Sequence, residues 1–317
     1  MLARHARSVV QRSHYMTSAT ASTKSTTRRR PGILAIDFDE TLTTHCTLPS
    51  VVAVAKQKHQ SHRLDFQWFT NEYTKDLEAY EAKWQSTIGG QATSTGWSQS
   101  LLNAYLEGLR PIEVASLERL STHQMFAGVS HAEFHMGGAS VELRPGAASF
   151  INKVLNDPMW HVWVVSVNWS EDFICGALEA AGVNVGSNRF SVYCNNPAFA
   201  PDTGLSTGQI EPRVVVAKDK VDLLVRGKQD AQREQGDVPL LVYAGDSLTD
   251  LPALLAADIG FLFGKNKGVI GWCQRLNIDF GKLRGEDGCR ILFQASSWAF
   301  VENQLQTHVA SDYWLRY

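Results

Sequence analysis

The chain has 317 residues, 44% of them hydrophobic and 20% charged, with a net charge of −2 at pH 7. That length supports one large domain or two modest ones with real cores, and the composition is ordinary for a globular protein. No apolar run approaches the roughly 18 residues of a membrane-spanning helix, and the charge balance, with no lysine/arginine stripe in the body of the chain, argues against a nucleic-acid partner. The first segment in chain order is a tail. Residues 1–36 hold seven basic residues (Arg4, Arg7, Arg12, Lys24, Arg28, Arg29 and Arg30) and no acid. A stretch rich in Arg, Ser and Thr and free of acids has the composition of an organelle presequence, and equally of a disordered tail. Residues 1–31 are therefore expected to be one or the other, with a mitochondrial destination on the first reading and a cytoplasmic one on the second.

The first strand is "ILAIDFDETLT", Ile33 to Thr43. Four apolar residues read as a buried strand. Asp37 and Asp39 follow, two positions apart, so in an extended segment both carboxylates face one spot and repel each other. A positive group is expected there. Three later stretches repeat the pattern of an apolar strand ending on a polar residue or glycine: Val162–Val165 before Ser166, Leu240–Ala244 before Gly245 and Asp246, and Ile259–Phe263 before Gly264. Helical patterns lie between them, in "GAASFINKVL", "EDFICGALEAAG", "DKVDLLVRGKQDAQ" and "LPALLAAD". Strands alternating with helices predict an α/β fold, a Rossmann-like doubly wound parallel sheet, with ligands bound at the carboxyl ends of its strands.

Residues 44–142 break the alternation. "FQWFTNEYTKDLEAYEAKW" and "PIEVASLERLSTHQMF" have helical spacing, and no strand pattern stands out. The expected organisation is a core of residues 32–43 and 143–317, with a helical cap, 44–142, inserted after the first strand. "LRPG" at Leu143–Gly146 marks the return to the core. The five cysteines are scattered without a CxxC pair, which argues for free thiols in a reducing compartment. Two histidine pairs, His59/His62 and His131/His135, have spacings that could ligate zinc. No third ligand accompanies either, and a polar cap surface is the expected reading.

"DFDET" resembles the first motif, DxDxT, of haloacid dehalogenase-superfamily phosphatases, and the remaining motifs follow in order: Ser166, Lys220 in "AKDKVDLL", and Asp246 and Asp250 in "GDSLTD". The resemblance implies a Mg²⁺-dependent phosphomonoester hydrolase acting on a small phosphorylated metabolite. On that pattern Asp37 is the nucleophile that becomes an aspartyl-phosphate and Asp39 is the acid/base. Ser166 and Lys220 hold the phosphoryl group. Asp37, the Asp39 main-chain carbonyl and Asp246 hold the metal, with Asp250 orienting Lys220 or a metal-bound water. Lys218 rivals Lys220, which is preferred because the lysine of the family motif directly precedes an apolar helix, as in "KVDLL" here. The second aspartate of DxDxT favours phosphate chemistry over dehalogenation. The interval from Ser166 to Lys220 is too short for a large second insertion.

Three stretches, "VVSVNWSEDFI", "LSTGQIEPRV" and "VYAGDSLTDLPALLAADIG", are similar to the phosphatase domain of plant thiamine monophosphate phosphatases. That likeness implies thiamine monophosphate as substrate, with Trp169 as a substrate-binding aromatic face or, alternatively, a core tryptophan. The cap aromatics Trp68, Phe69, Tyr73, Trp84 and Trp97 are expected mainly in the core. Phosphatases of nucleotides, pyridoxal phosphate or phosphoserine are the alternatives, together with a binding protein that performs no catalysis.

Overall fold

The computed structural model describes residues 31–58, 65–89, 96–284 and 290–309. The expected tail at 1–31 lies outside these apart from Pro31, as does the His59/His62 pair. Strand β1 (Gly32–Ile36) is buried along its whole length. Among the described residues five α-helices follow before the core resumes: α1 (Leu48–Lys58), α2 (Phe66–Trp84), α3 (Gln99–Glu107), α4 (Arg110–Thr122) and α5 (His131–Gly138). The core continues with α6 (Ala147–Leu155), β2 (Trp160–Val165), α7 (Glu171–Ala180), β3 (Phe190–Tyr193), β4 (Asn196–Phe199), β5 (Ser206–Glu211), α8 (Ala217–Gln235) and β6 (Leu240–Gly245). It ends with α9 (Leu251–Ala256), β7 (Ile259–Phe263), α10 (Lys267–Arg275), β8 (Leu283–Arg284), β9 (Arg290–Ala295) and α11 (Trp298–Val309).

Among the described residues one sheet runs in the order β3-β2-β1-β6-β7-β9-β8. Its strands are parallel apart from β8, which pairs antiparallel at the edge. This is the doubly wound α/β fold. Alternate residues of β1 serve opposite layers, as a strand's two-residue period requires. Leu34 and Ile36 pack with Phe150 of α6, Phe173 of α7 and Trp298 of α11. Ile33 and Ala35 pack with Leu224 of α8, Leu254 of α9 and Trp272 of α10. Burial on both faces explains the continuous apolar runs.

Register positions the site. Ile36 stands opposite Val164 of β2 and Ala244 of β6. The strands therefore end level, and Asp37, Ser166 and Asp246 emerge at one edge of the sheet. The insertion is helical in its described residues, and Leu143 closes it by bridging to Thr43. The Arg144 N–H donates to the Leu42 carbonyl at 2.7 Å. Helix α5 lies against α7 at backbone contact. A Cβ on Gly176 would stand 1.9 Å from the His135 carbonyl oxygen, and one on Gly138 would stand 2.0 Å from that of Phe173.

One feature was absent from the sequence reading: a two-stranded antiparallel ribbon, β4–β5, between β3 and α8. It holds "STGQI". The Ser206 N–H donates to the Val129 carbonyl at 2.8 Å, and the Ile210 N–H donates to the Ser121 hydroxyl at 3.0 Å. The segment thus fastens the end of α4 to the core. Strand β3, β9 and the two C-terminal helices were also unread.

The histidines of α5 face acids on α7. His131 Nδ1 is 2.8 Å from Asp172 Oδ2, and His135 Nε2 is 2.9 Å from Glu179 Oε2. Neither joins a metal-like cluster among the described residues. Of the described cysteines, Cys194 and Cys273 are buried, Cys175 is half-buried, and Cys46 is exposed. No described helix is long and apolar enough to cross a membrane.

Candidate active site

At the end of β1 the Asp37 N–H donates to the Ala244 carbonyl at 2.9 Å, which ties the first aspartate to β6. The chain then makes a tight turn over residues 38–42, in which Glu40 adopts φ 56°. For a residue with a side chain this left-handed conformation is uncommon and costs energy. Arg144 holds the turn from outside, its Nη2 donating to the Glu40 carbonyl at 2.6 Å.

The positive group expected beside the two aspartates meets only the first of them. Lys220 pairs with Asp37, while Asp39 turns away to the neutral donors of Thr47 and Asn168, so the two carboxylates do not share one partner. Lys220 enters from the first turn of α8 and is 1% exposed. Its Nζ donates to Asp37 Oδ1 at 2.8 Å and to Asp250 Oδ1 at 2.7 Å. Lys218 instead faces outward and pairs with Asp222.

Asp250 is fully buried and accepts five hydrogen bonds. Lys220 and the Tyr243 hydroxyl, at 2.7 Å, reach Oδ1. The Ser247 hydroxyl at 2.6 Å, the Ser247 N–H at 3.0 Å and the Asp246 N–H at 3.3 Å reach Oδ2. Gly245 makes this possible, because a Cβ there would stand 2.5 Å from the Asp250 carboxyl carbon. Asp246 turns toward the first motif, where the Thr41 hydroxyl donates to its Oδ1 at 3.1 Å.

Asp39 is held differently. Its Oδ1 accepts from the Thr47 N–H at 2.5 Å and the Thr47 hydroxyl at 2.6 Å, and its Oδ2 accepts from Asn168 Nδ2 at 3.0 Å. The Thr47 carbonyl meanwhile accepts the Ser50 and Val51 N–H groups. Thr47 thereby starts the first cap helix while it grips Asp39. The Asn168 N–H donates to Ser166 Oγ at 3.1 Å, leaving the serine's own proton for another acceptor.

The structure therefore brings Asp37, Lys220, Asp246 and Asp250 together, with Asp39 and Ser166 joined through Asn168. Sequence reasoning missed Thr47, Asn168, Tyr243 and Thr41. Asn168 sits within the quoted "VSVNW", two residues after Ser166, so spacing offered a signal there. Thr47 and Tyr243 carried none.

Burial and charge shape the ionisation. Burial, followed by the charge of Asp250, pushes Asp37 well above the usual carboxylate range against the pull of Lys220. Burial and Asp250 likewise push Asp246 up to about 7. Burial alone would raise Asp250, but Lys220 and the hydrogen bonds hold it below its ordinary value. For Lys220 burial works downward and is outweighed by the two carboxylates, so it stays charged. The cluster is thus three carboxylates against one lysine. One carboxylate oxygen from each of Asp37, Asp246 and Asp250 lies within 4.8 Å of the others. That surplus of buried negative charge, with oxygens of Asp37 and Asp246 still short of donors, fits a hard divalent cation.

Beside the aspartates a cavity of about 420 Å³ opens between cap and core. The core side is formed by Val167 and Trp169, just after Ser166, and by Thr249, just before Asp250; the cap side includes Phe66, Phe69, Tyr73 and Glu113. Trp169 is 8% exposed and meets Phe66 edge to face, with ring centroids 6.2 Å apart. Of the cap aromatics named from the sequence, Phe69 and Tyr73 line this cavity. Trp97 packs on Trp272 of the core, Trp84 on Tyr105, and Trp68 is exposed.

The chain is similar to several known proteins. A CTO1 family protein of Schizosaccharomyces pombe is 26% identical over 283 residues, covering 84% of this chain and 97% of that one. The bifunctional TH2 protein, mitochondrial, of Arabidopsis thaliana is 27% identical over 179 residues, covering 56% of this chain and 27% of that protein. Among solved structures, a phospho-aspartyl intermediate analogue of phosphoserine phosphatase superposes with a TM-score of 0.46 at 15% identity, covering 87% of this chain and 99% of that one. The sequence model of the haloacid dehalogenase-like hydrolases matches residues 34–255, and the chain belongs to that family.

Proposed function

We propose that this protein hydrolyses a small phosphomonoester through an aspartyl-phosphate, and that the ester is thiamine monophosphate. The observation that carries the reaction is the buried Asp37–Lys220–Asp250 chain with Asp246 beside it. Asp37 supplies a carboxylate oxygen to phosphorus while the bond to the leaving oxygen breaks, and Asp39 gives that oxygen a proton. Water then attacks the phosphorus of the acyl phosphate and passes a proton to Asp39. Phosphate leaves and the Asp37 carboxylate is restored. Lys220 neutralises charge on Asp37 and on the transferring group, and Ser166 donates its free proton to a phosphoryl oxygen.

Asp37, Asp246 and the main-chain carbonyl of Asp39 would hold Mg²⁺, which when bound offsets the charge shared by carboxylates and phosphate. Asp250 has its lone pairs taken by five donors, so its part is to hold Lys220. The Thr47 and Asn168 hydrogen bonds orient Asp39, and they link its position to the start of the cap.

The substrate reading is supported by the quoted sequence blocks and by the cavity. Phe66, Phe69, Tyr73 and Trp169 offer aromatic faces, which suit a thiazolium cation and a flat pyrimidine. Among the described residues lining the cavity, none is basic, so a substrate carboxylate such as that of phosphoserine would go unpaired. The test is Mg²⁺-dependent hydrolysis of p-nitrophenyl phosphate, followed by kcat/KM across thiamine monophosphate, thiamine diphosphate, pyridoxal phosphate, phosphoserine and nucleoside monophosphates. Asp37→Asn should abolish turnover, and Asp39→Asn should lower it by about 10²–10⁴-fold. Full activity in either variant refutes the mechanism, and a clear preference for another ester refutes the substrate.

A further inference from the structure

Glu113 is the single charged residue among the described residues that line the cavity. It lies in the first turn of α4, where the helix dipole favours its negative form. The Tyr73 hydroxyl on α2 donates to its Oε1 at 2.7 Å, which fixes the carboxylate across the helix pair. No lysine or arginine among the described residues pairs with it. Burial pushes its carboxyl up, and the Tyr73 hydrogen bond opposes that. A half-buried carboxylate without a cationic partner, set in an aromatic cavity, carries an unmet demand for positive charge.

We propose that Glu113, fixed by Tyr73, is the specificity-determining residue of this site and selects esters whose alcohol carries a permanently cationic aromatic ring. The proposal rests on the phosphomonoesterase reading for its location. The carboxylate supplies one half of the recognition, and the faces of Phe66, Phe69 and Trp169 supply the other. A neutral aryl alcohol would gain the aromatic contacts alone. An anionic alcohol would meet Glu113 as a like charge in a poorly hydrated space. Glu113 touches the leaving group and takes no part in phosphoryl transfer, so its loss changes which ester is chosen and leaves the chemical step intact.

The test compares two esters of nearly equal shape, 2-(N-methylpyridinium-3-yl)ethyl phosphate and 2-phenylethyl phosphate. Wild-type protein should prefer the cationic ester by about tenfold or more in kcat/KM. Glu113→Gln keeps the side-chain shape and an acceptor for Tyr73, so the fold should stand. In that variant the preference should collapse toward unity. A preference equal to that of wild type in Glu113→Gln, or no preference in wild type, overturns the proposal.

Calorimetric binding of the same pair to Asp37→Asn, with and without Glu113→Gln, reads the selectivity without turnover. If neither ester is hydrolysed but the cationic one binds tighter in a Glu113-dependent way, the pocket assignment stands and the hydrolase reading fails. If both are hydrolysed with Glu113 immaterial, the hydrolase reading stands and the pocket assignment fails.

Discussion

Replacing Asp250 by Asn separates two roles that its place in the acidic cluster leaves open, metal ligand and holder of Lys220. Asp250 is fully buried, and its two oxygens accept from Lys220, Tyr243, Ser247 twice and the Asp246 N–H. Asparagine keeps one oxygen and turns the other position into a donor. Either Lys220 and Tyr243 or the Ser247 and Asp246 donors then face an N–H₂ group. Each donor so stranded costs about 1–3 kcal/mol. Lys220 also loses one of its two buried carboxylates, and breaking a buried ion pair costs about 3–5 kcal/mol. Asp37 remains 2.8 Å from Lys220 and retains part of that energy. A net loss of about 3–5 kcal/mol is expected, a large share of the roughly 5–15 kcal/mol that holds a domain together. Urea unfolding reads it as a lower midpoint at unchanged slope. Because Asp250 is assigned to Lys220, the Mg²⁺ concentration for half-maximal turnover should shift by less than about threefold while kcat falls. A variant within about 1 kcal/mol of wild-type stability that needs tenfold more Mg²⁺ would refute the reasoning and make Asp250 a metal ligand.

Asn168→Ala removes the Asp39 hydrogen bond at 3.0 Å and the donor to Ser166 is kept on the backbone; a bond to a charged group is worth about 1.5–3 kcal/mol, so kcat should fall about tenfold to a hundredfold with KM little changed, and an unchanged kcat would show that Asp39 needs no such support. Asp246 is pushed up to about 7 by burial and then by Asp250, so between the ordinary aspartate value of about 4 and that value the folded metal-free chain holds a proton the unfolded chain has released. Its stability should be greatest on the acid side and fall as pH rises through about 7. Mg²⁺ should then raise the Tm more at pH 8 than at pH 5.5, and an equal effect at both would contradict the assignment. Gly176→Ala drives a Cβ to 1.9 Å from the His135 carbonyl oxygen and should cost about 1–3 kcal/mol by separating α5 from α7. Gly271→Ala, in α10 with nothing within 4 Å of the added Cβ, should be neutral or stabilise by up to about 1 kcal/mol; thermal unfolding of the pair checks both.

The sequence by itself determined the elements whose signal is local. The runs at Ile33–Ile36, Leu240–Ala244 and Ile259–Phe263 are strands because apolar residues without interruption suit a sheet buried on both faces, and all three were legible. So was the helical insertion, down to the bounds of Phe66–Trp84. Asp37 and Asp39 stood out because two carboxylates two residues apart at a strand end repel each other, whereas Lys220, Asp246 and Asp250 were named through the resemblance to the family motifs. What only the tertiary structure decided depends on register and on approach between distant segments. Residues of neutral character, Thr47, Asn168 and Tyr243, became parts of the site because level strand ends and a returning cap helix carried them within hydrogen-bond reach. "STGQI" carries no local mark of its role, since its partners Ser121 and Val129 lie in the cap and are met only after folding. Short strands such as β3 and β4 depend on a neighbour's hydrogen bonds rather than on their own four residues, so pattern alone could not reveal them. Glu113 looked like any acid on a helix face. Its environment arose only when α2 and α4 packed side by side, with the Tyr73 hydroxyl on Glu113 and the cavity beside them.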